Sequence, residues 1–469
     1  MLNLHWLDVL IVGSYFAFVL VLGFALLRTK TVKSSADYLL AGRTLTLPAF
    51  VATTVSTWYG GILGVGEYSY RHGLVNWVVF GVPYYLAILV FALFLAEKAR
   101  TARLTTIPEQ LERHYGKTAS LIGALFLFVT TVPAAYVLML AILLQALFGW
   151  QLPVCLIAGT VFSTCYILRG GFRSVVRTDL FQFVLMFAAF LMLVPFALVN
   201  YGGLNFLREH LPEEHLTWHG GLPVSAILVW FFIALATLVE PSLYQRCFAA
   251  RDAKVAKAGL LLSMLCWIGF DALTTVSGLY ARAIVPDLDR PVFAYLALAD
   301  RLLPPVFLGI FLTGLLAIIM STVDSYAFLA AVTLGRDFLG KLGGAFSEQR
   351  SVRLTRVALV ATGILSVLIA YAQQSVVGIW KSLGSISAPV LLLPLLASFH
   401  PPSRPSPSAA VVAMTTSGVV ATLWTLVPGS EGNAHLFGLE PIYPGLLSSA
   451  LILLGAKVVA RLHRRRRRG

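Results

Sequence analysis

Long apolar runs separated by short, charged connections set the pattern of this chain. Runs long enough to cross a hydrocarbon layer, about 17 to 25 residues each, fall at 6–28, 46–66, 75–97, 119–148, 152–168, 178–200, 224–240, 258–281, 306–334, 355–373, 378–399, 407–427 and 442–460. They are continuous and rich in Leu, Ala, Val and Phe, whereas the strands of a membrane β-barrel alternate between lipid and lumen. The pattern predicts an all-α polytopic membrane protein with thirteen transmembrane helices. The first run follows only Met1 to Trp6, without a basic leader or an A-x-A site, which predicts a retained helix and no cleaved signal. The longest connections, 201–223 and 335–354, leave no room for a soluble domain, so a single transmembrane domain over 1–469 is expected.

Two runs carry interruptions. The second contains Trp58-Tyr59-Gly60-Gly61 followed by Gly64 and Gly66, and the seventh ends at Glu240-Pro241. They lie five helices apart, an offset that reverses direction through the membrane and suggests inverted repeats that each open on a broken helix. Such breaks point to a transporter's binding site, because unwound carbonyls can hold a cation and freed amides a substrate. Glycine in a membrane helix also serves close packing, so the interruptions alone leave both uses open.

Composition agrees with a membrane location: 58% of residues are hydrophobic and only 12% charged, against roughly 25% charged in a soluble domain. The net charge of +14 is explained by where the basic residues fall. With the amino terminus outside, 29 of the 35 Lys and Arg lie in or beside inner connections, among them Arg28 to Arg43, Lys98 to Lys117, Arg246 to Lys257 and Arg336 to Arg356. By the positive-inside rule the amino end is outside and the carboxyl end cytoplasmic. A bacterial inner (plasma) membrane is the expected location. The basic tail 461–469 reads as a topology anchor or a contact for anionic lipid, and no nucleic-acid partner is expected. The four cysteines show no metal-type spacing. No histidine lies inside an apolar run to ligate haem, and no hydrolase or zinc-protease motif is present. An enzyme is therefore not expected.

Several segments carry a resemblance. Asp37-Tyr38-Leu39-Leu40-Ala41-Gly42-Arg43, Thr106-Ile107-Pro108-Glu109 with Tyr115-Gly116, Gly170-Gly171 with Thr178-Asp179, Tyr244-Gln245-Arg246, and above all Met320-Ser321-Thr322-Val323-Asp324-Ser325 ending at Arg336-Asp337 are similar to segments of the sodium:solute symporters, which include sodium/proline and sodium/galactose carriers. The resemblance implies a leucine-transporter-type (LeuT) fold, a five-plus-five inverted repeat. One helix (6–28) would precede a first repeat at 44–200 and an inverted second repeat at 222–399, with two helices (407–460) after them. It implies sodium-coupled import of a small organic solute by alternating access, with Na+ as the coupling ion, no organic cofactor and no obligate protein partner. A proton-coupled carrier of the same fold, a channel and a transporter-like sensor are the other readings.

Sodium is a hard cation that prefers oxygen ligands. Ser321 and Thr322 offer hydroxyls, and the carbonyl of Ile318 lies one turn earlier. By the resemblance, the carbonyls of Ser56 and Tyr59 in the broken second run would complete the sodium site. Alternatively, Ser321 and Thr322 bond back to their own helix. Asp324 is costly in a membrane helix and marks a functional position. With Asp179, Ser321 and Ser325 it could enclose a second cation, or the two carboxylates could share a proton. The bland alternatives are that Asp179 caps its helix and that Asp324 bonds a neighbouring helix.

By the same resemblance the solute would lie beside Trp58, Tyr59, Gly60 and Gly61, Glu240, and Trp380 and Lys381 of the eleventh run. Lys381 departs from the neutral residue of the sodium/proline carriers. If it binds solute, a carboxylate or zwitterion is expected; otherwise it snorkels to the interface or pairs with Glu240 or Asp271. Glu67 and Arg71 are spaced for an i, i+4 ion pair at the rim.

Overall fold

A computed structural model describes residues 4–25, 34–342, 347–427 and 439–466; within its helices the side chains of 24–25, 377–378, 380–385, 461 and 463–466 fall outside the described set. Its helices follow the apolar runs. They are α1 (Trp6–Ala25), α2 (Leu47–Trp58), α3 (Ile62–His72), α4 (Val82–Phe94), α5 (Lys117–Thr131), α6 (Ala134–Phe148), α7 (Leu152–Gly170) and α8 (Phe172–Tyr201), then α9 (Val224–Ile233), α10 (Pro241–Ala249), α11 (Ala253–Ile284), α12 (Phe307–Val332), α13 (Glu348–Gln373), α14 (Val376–Ser398), α15 (Pro407–Leu426) and α16 (Ile442–Arg466). Among the described residues, eleven stretches are long and apolar enough to cross a membrane. The two remaining sequence runs are the broken pair α2 and α3, whose halves are each too short to count, and α14, of which Ile386–Ser398 is the apolar stretch among the described residues.

Both predicted interruptions are real. α2 stops at Trp58 and α3 starts at Ile62, with Tyr59, Gly60 and Gly61 between them. A Cβ on Gly60 would overlap the side chain of Thr322, so glycine here permits the break to lie directly against α12. In the second half, α10 begins at Pro241, whose ring suits a first helical position and supplies no amide hydrogen. Glu240 caps that helix by accepting from the Ser242 amide at 3.2 Å. Two other runs are jointed as well. Val132 and Pro133 separate α5 from α6, and α12 continues into a π-helical turn over Thr333–Leu339.

α12 is the axis of the molecule. It is apolar all round and buried on nearly every position from Leu308 to Val332, as expected of a helix surrounded by others. It packs most extensively against α8, where Gly314 lies close to Ala189. The outer helices instead present large apolar side chains outward, including Val199 at 85% exposure and Leu426 at 72%. In water that would be an aggregation surface; in lipid it is the solvated face. All four cysteines are free.

α1 is pinned to the start of α12 by one carboxylate. Asp8, 1% exposed, accepts from the amides of Val306 and Gly309 at 2.8 Å each and, through its other oxygen, from the His5 amide at 3.1 Å. A carboxylate at a helix amino terminus satisfies donors that the helix cannot. Asp8→Ala should cost about 1–3 kcal/mol by leaving buried amides unpaired, and Asp8→Asn less, because it keeps one acceptor. Thermal unfolding in detergent reads this directly; an unchanged midpoint for Asp8→Ala would show that the cap carries no stability.

Candidate functional site

The break between α2 and α3 meets α12 through one hydroxyl. Thr322 Oγ1 donates to the carbonyl of Thr57 at 2.8 Å and lies 3.3 Å from the carbonyl of Ile318 in its own helix. One turn of α12 thus places a hydroxyl and a carbonyl against a carbonyl at the end of α2. The expected partners are the carbonyls of Ser56 and Tyr59, one residue before and two after Thr57. The Ser56 hydroxyl bonds back to Ala52 at 2.8 Å, and the Tyr59 carbonyl accepts from the Ile62 amide at 3.1 Å across the break. Ser321 turns to α8, where its hydroxyl donates to Asp179 Oδ1 at 2.6 Å.

Asp179 is fully buried, and its second oxygen accepts from Thr53 of α2. Its charge is met by Arg246, at 3.8 Å and likewise 0% exposed. The Arg246 guanidinium also donates to Thr57 Oγ1 at 2.7 Å, Ser325 Oγ at 2.8 Å and Thr53 Oγ1 at 3.2 Å, while Thr57 and Ser325 lie 2.9 Å apart. Four helices, α2, α8, α10 and α12, are therefore tied together by one buried cation. Counting basic residues along the chain assigned Arg246 to an inner connection. The structure moves it into the core, because α10 is a short helix whose whole length is buried. The Gln245-Arg246 pair within a recognisable segment was the signal that could have marked it.

Asp324 does not join this group. It faces α7 and accepts from the Tyr166 hydroxyl, and its Oδ1 is buried with no hydrogen-bond partner among the described residues. The structure thus brings Asp179, Ser321 and Ser325 together around Arg246 and gives Asp324 a separate partner on a neighbouring helix.

Above the break lies a cavity of about 590 Å3. Trp58, Tyr59 and Gly61 line it from the break, Glu240 from the second break, Asp271 from α11, and Ile379 from α14. Gly60 contributes to the Thr322 contact instead. The side chains of Trp380 and Lys381 lie outside the described residues. Asp271 accepts from the hydroxyls of Tyr59 and Tyr85, and Tyr85 in turn accepts from Trp77 Nε1 at 2.9 Å. Glu240 accepts from Tyr326 of α12 at 3.1 Å. Glu67 and Arg71 form the expected rim pair at 3.1 Å.

The geometry combines broken helices, a cavity beside them and hydroxyls converging from α12. The sequence profile described as the sodium:solute symporter family matches residues 38–400. The chain belongs to this family. It is 26% identical over 92% of its length, and 92% of the relative's, to the sodium/pantothenate symporter of Escherichia coli K12. It is 25% identical to the osmoregulated proline transporter of Bacillus subtilis 168, over 94% and 92%. Among solved structures it superimposes with a TM-score of 0.78 on a Na+-coupled sialic acid symporter in a substrate-bound outward-open state, at 16% identity and 98% coverage of both chains. With MhsT in complex with L-phenylalanine the TM-score is 0.55, at 14% identity, covering 88% of this chain and 99% of that one. These likenesses establish the leucine-transporter-type fold. The protein is a sodium-coupled solute symporter of the membrane, and its family and relatives are transporters.

Removing Arg246 should expose how much of this symporter depends on its buried cation. Arg246→Met leaves Asp179 charged and unpaired, a change of about 3–5 kcal/mol for a buried pair. Adding Asp179→Asn should restore most of the loss. Thermal unfolding of the two variants in detergent checks it, and a double variant as unstable as the single would mean that charge pairing is not what Arg246 contributes.

Proposed function

We propose that one sodium ion binds where Thr322 meets the broken helix, and that it couples to a solute held in the adjacent cavity. The observation that carries this is the placement of the Thr322 hydroxyl on carbonyls of both α2 and α12. Hydroxyls and carbonyls are hard, neutral oxygen donors, and a hydroxyl that donates one bond retains lone pairs for a cation. Ile318, Thr322 and Thr57 supply such oxygens, with Ser321 beside them and the carbonyls of Ser56 and Tyr59 nearby in sequence. The second group, Asp179 with Ser325, reads as a fixed ion pair, since the Arg246 guanidinium stands where another cation would bind. Asp324 then serves to hold α7 against α12.

In this reading the amino terminus is outside, the carboxyl terminus is cytoplasmic and the membrane is a bacterial inner membrane. α2 then runs outward, so Trp58 to Val65 belong to the outer half and the cavity faces the outside. The inner side is closed by backbone bonds between the chain before α2 and the end of α10: Leu45 N to Ala249 O at 3.1 Å and Arg251 N to Leu45 O at 2.9 Å. The Arg336–Glu109 pair at 3.2 Å adds to that closure. Sodium entering from outside draws α2 to α12 and orders Trp58 and Tyr59 at the cavity wall, so solute binds better when sodium is present. Each positive charge moved inward contributes about 2.3 kcal/mol per 100 mV of membrane potential. The solute is a small organic molecule, and a zwitterion keeps a place through its positively charged end.

Binding of radioactive sodium to the purified protein tests the site. The wild type should saturate with a Hill coefficient of about 1, and Thr322→Ala should raise the half-saturating concentration by about tenfold, equivalent to one lost ligand contact of about 1.4 kcal/mol. Asp324→Asn, which keeps an acceptor for Tyr166, should bind sodium almost as the wild type does. Unchanged binding in Thr322→Ala would remove the assignment, and a Hill coefficient near two would return a second cation to the Asp179 group.

A further inference from the structure

The walls of the cavity carry acids and aromatic rings. Besides Glu440, Glu240 and Asp271 both line it, and among the described lining residues there is no Lys or Arg. Neither carboxylate forms an ion pair among the described residues. Their partners are neutral donors: the Tyr326 hydroxyl and the Ser242 amide for Glu240, the Tyr59 and Tyr85 hydroxyls for Asp271. Arg246, buried in the adjacent core, is committed to Asp179, Thr57 and Ser325. Among the described residues these two carboxylates hydrogen-bond only to hydroxyl and amide groups, with Arg246 acting on Glu240 from the adjacent core, and the cavity side of each favours a positively charged partner.

The rings complete the case. Trp58, Tyr84, Tyr136, Trp230 and Trp267 all line the same space, with Trp58 and Trp267 centroids 5.5 Å apart and Trp58 and Tyr84 6.5 Å apart. Aromatic faces attract cations through their quadrupole, more strongly where water is excluded, and they solvate an apolar body equally well. Carboxylates and indole faces together are the chemistry that holds an ammonium or quaternary ammonium group. A cavity of about 590 Å3 lies within the range of small-molecule sites, about 300–1,000 Å3.

We propose that the transported solute carries a positively charged nitrogen on an apolar body, with the nitrogen held by Glu240 and Asp271 and the body against the Trp58 and Trp230 rings. This rests on the cavity being the solute site of the sodium-coupled reading above. Sodium and solute then bring positive charge to separate places, sodium to neutral oxygens at Thr322 and the solute to carboxylates in the cavity, so they do not compete for one anion.

The test uses two probes of like body and opposite charge, phenethylamine and phenylacetate, with choline as a quaternary ammonium. Each is added to the purified full-length protein in detergent, in sodium and in potassium. Thermal unfolding reads solute binding, and radioactive sodium binding is measured on the same preparation. Phenethylamine or choline should raise the unfolding midpoint in sodium and much less in potassium, and phenylacetate should not. Glu240→Gln and Asp271→Asn should each weaken the effect of the amine by about tenfold while retaining saturable sodium binding, which also shows that the variants are folded. Stabilisation by phenylacetate in place of the amines, no shift with either amine, or amine binding unchanged in both folded variants would overturn the charge assignment. If sodium binding persists through such a result, the transport reading stands without it; amine binding without any saturable sodium binding would overturn the sodium site and leave the charge assignment in place.

Discussion

A helix interrupted in mid-membrane leaves backbone groups that lipid cannot satisfy, and this structure depends on α12 lying against that interruption. Each unpaired amide or carbonyl costs several kcal/mol in hydrocarbon. Gly60 has no side chain to hold α12 away, and Thr322 fills the resulting space and donates to Thr57. The same contact that makes the break tolerable also collects the oxygens that suit a hard cation. Structural repair and the proposed ion binding are then one arrangement, which is why the proposed cation site lies at the break.

The second constraint is buried charge. Arg246 and Asp179 are both fully enclosed; one guanidinium nitrogen, Nη2, faces Asp179 and the hydroxyls of Thr53, Thr57 and Ser325, and Nη1 donates to Ser242 and Gln245. An arginine suits this position because its planar group makes several directed bonds at once. Its bonds run to three other helices, so movement of α10 relative to α2 or α12 must rearrange them together. A rearrangement of that kind is what alternating access requires, and the Leu45 pairing with Ala249 and Arg251 joins the same two segments.

The cavity beside the break differs in chemistry from the surroundings of Thr322. Neutral oxygens surround Thr322, whereas carboxylates and aromatic rings line the cavity. Phenolic hydroxyls orient both cavity acids: Tyr59 and Tyr85 hold Asp271, and Tyr326 holds Glu240. Tyr59 belongs to the break and Tyr326 to α12, so Asp271 and Glu240 are each held by one of the two elements that meet at Thr322. Side chains of the break and of α12 thus form part of the cavity wall.

The amino-acid sequence by itself determined the membrane location, the helical class, the order of the helices and the positions of both breaks. Lipid enforces those features locally: a span needs a continuous apolar run, and Gly60-Gly61 and Glu240-Pro241 interrupt one wherever they occur. The residues Ser321 and Thr322 were legible as candidate cation ligands only through a recognisable segment, because α12 is apolar along most of its length and carries no amphipathic signal to say which face meets α2. Tertiary structure alone decided that Thr57 supplies the facing carbonyl, that Asp324 turns to Tyr166 and away from Asp179, and that Arg246 is interior. Those outcomes depend on how each helix is rotated and tilted against its neighbours, and rotation is set by packing between segments far apart in the chain, which no local pattern records.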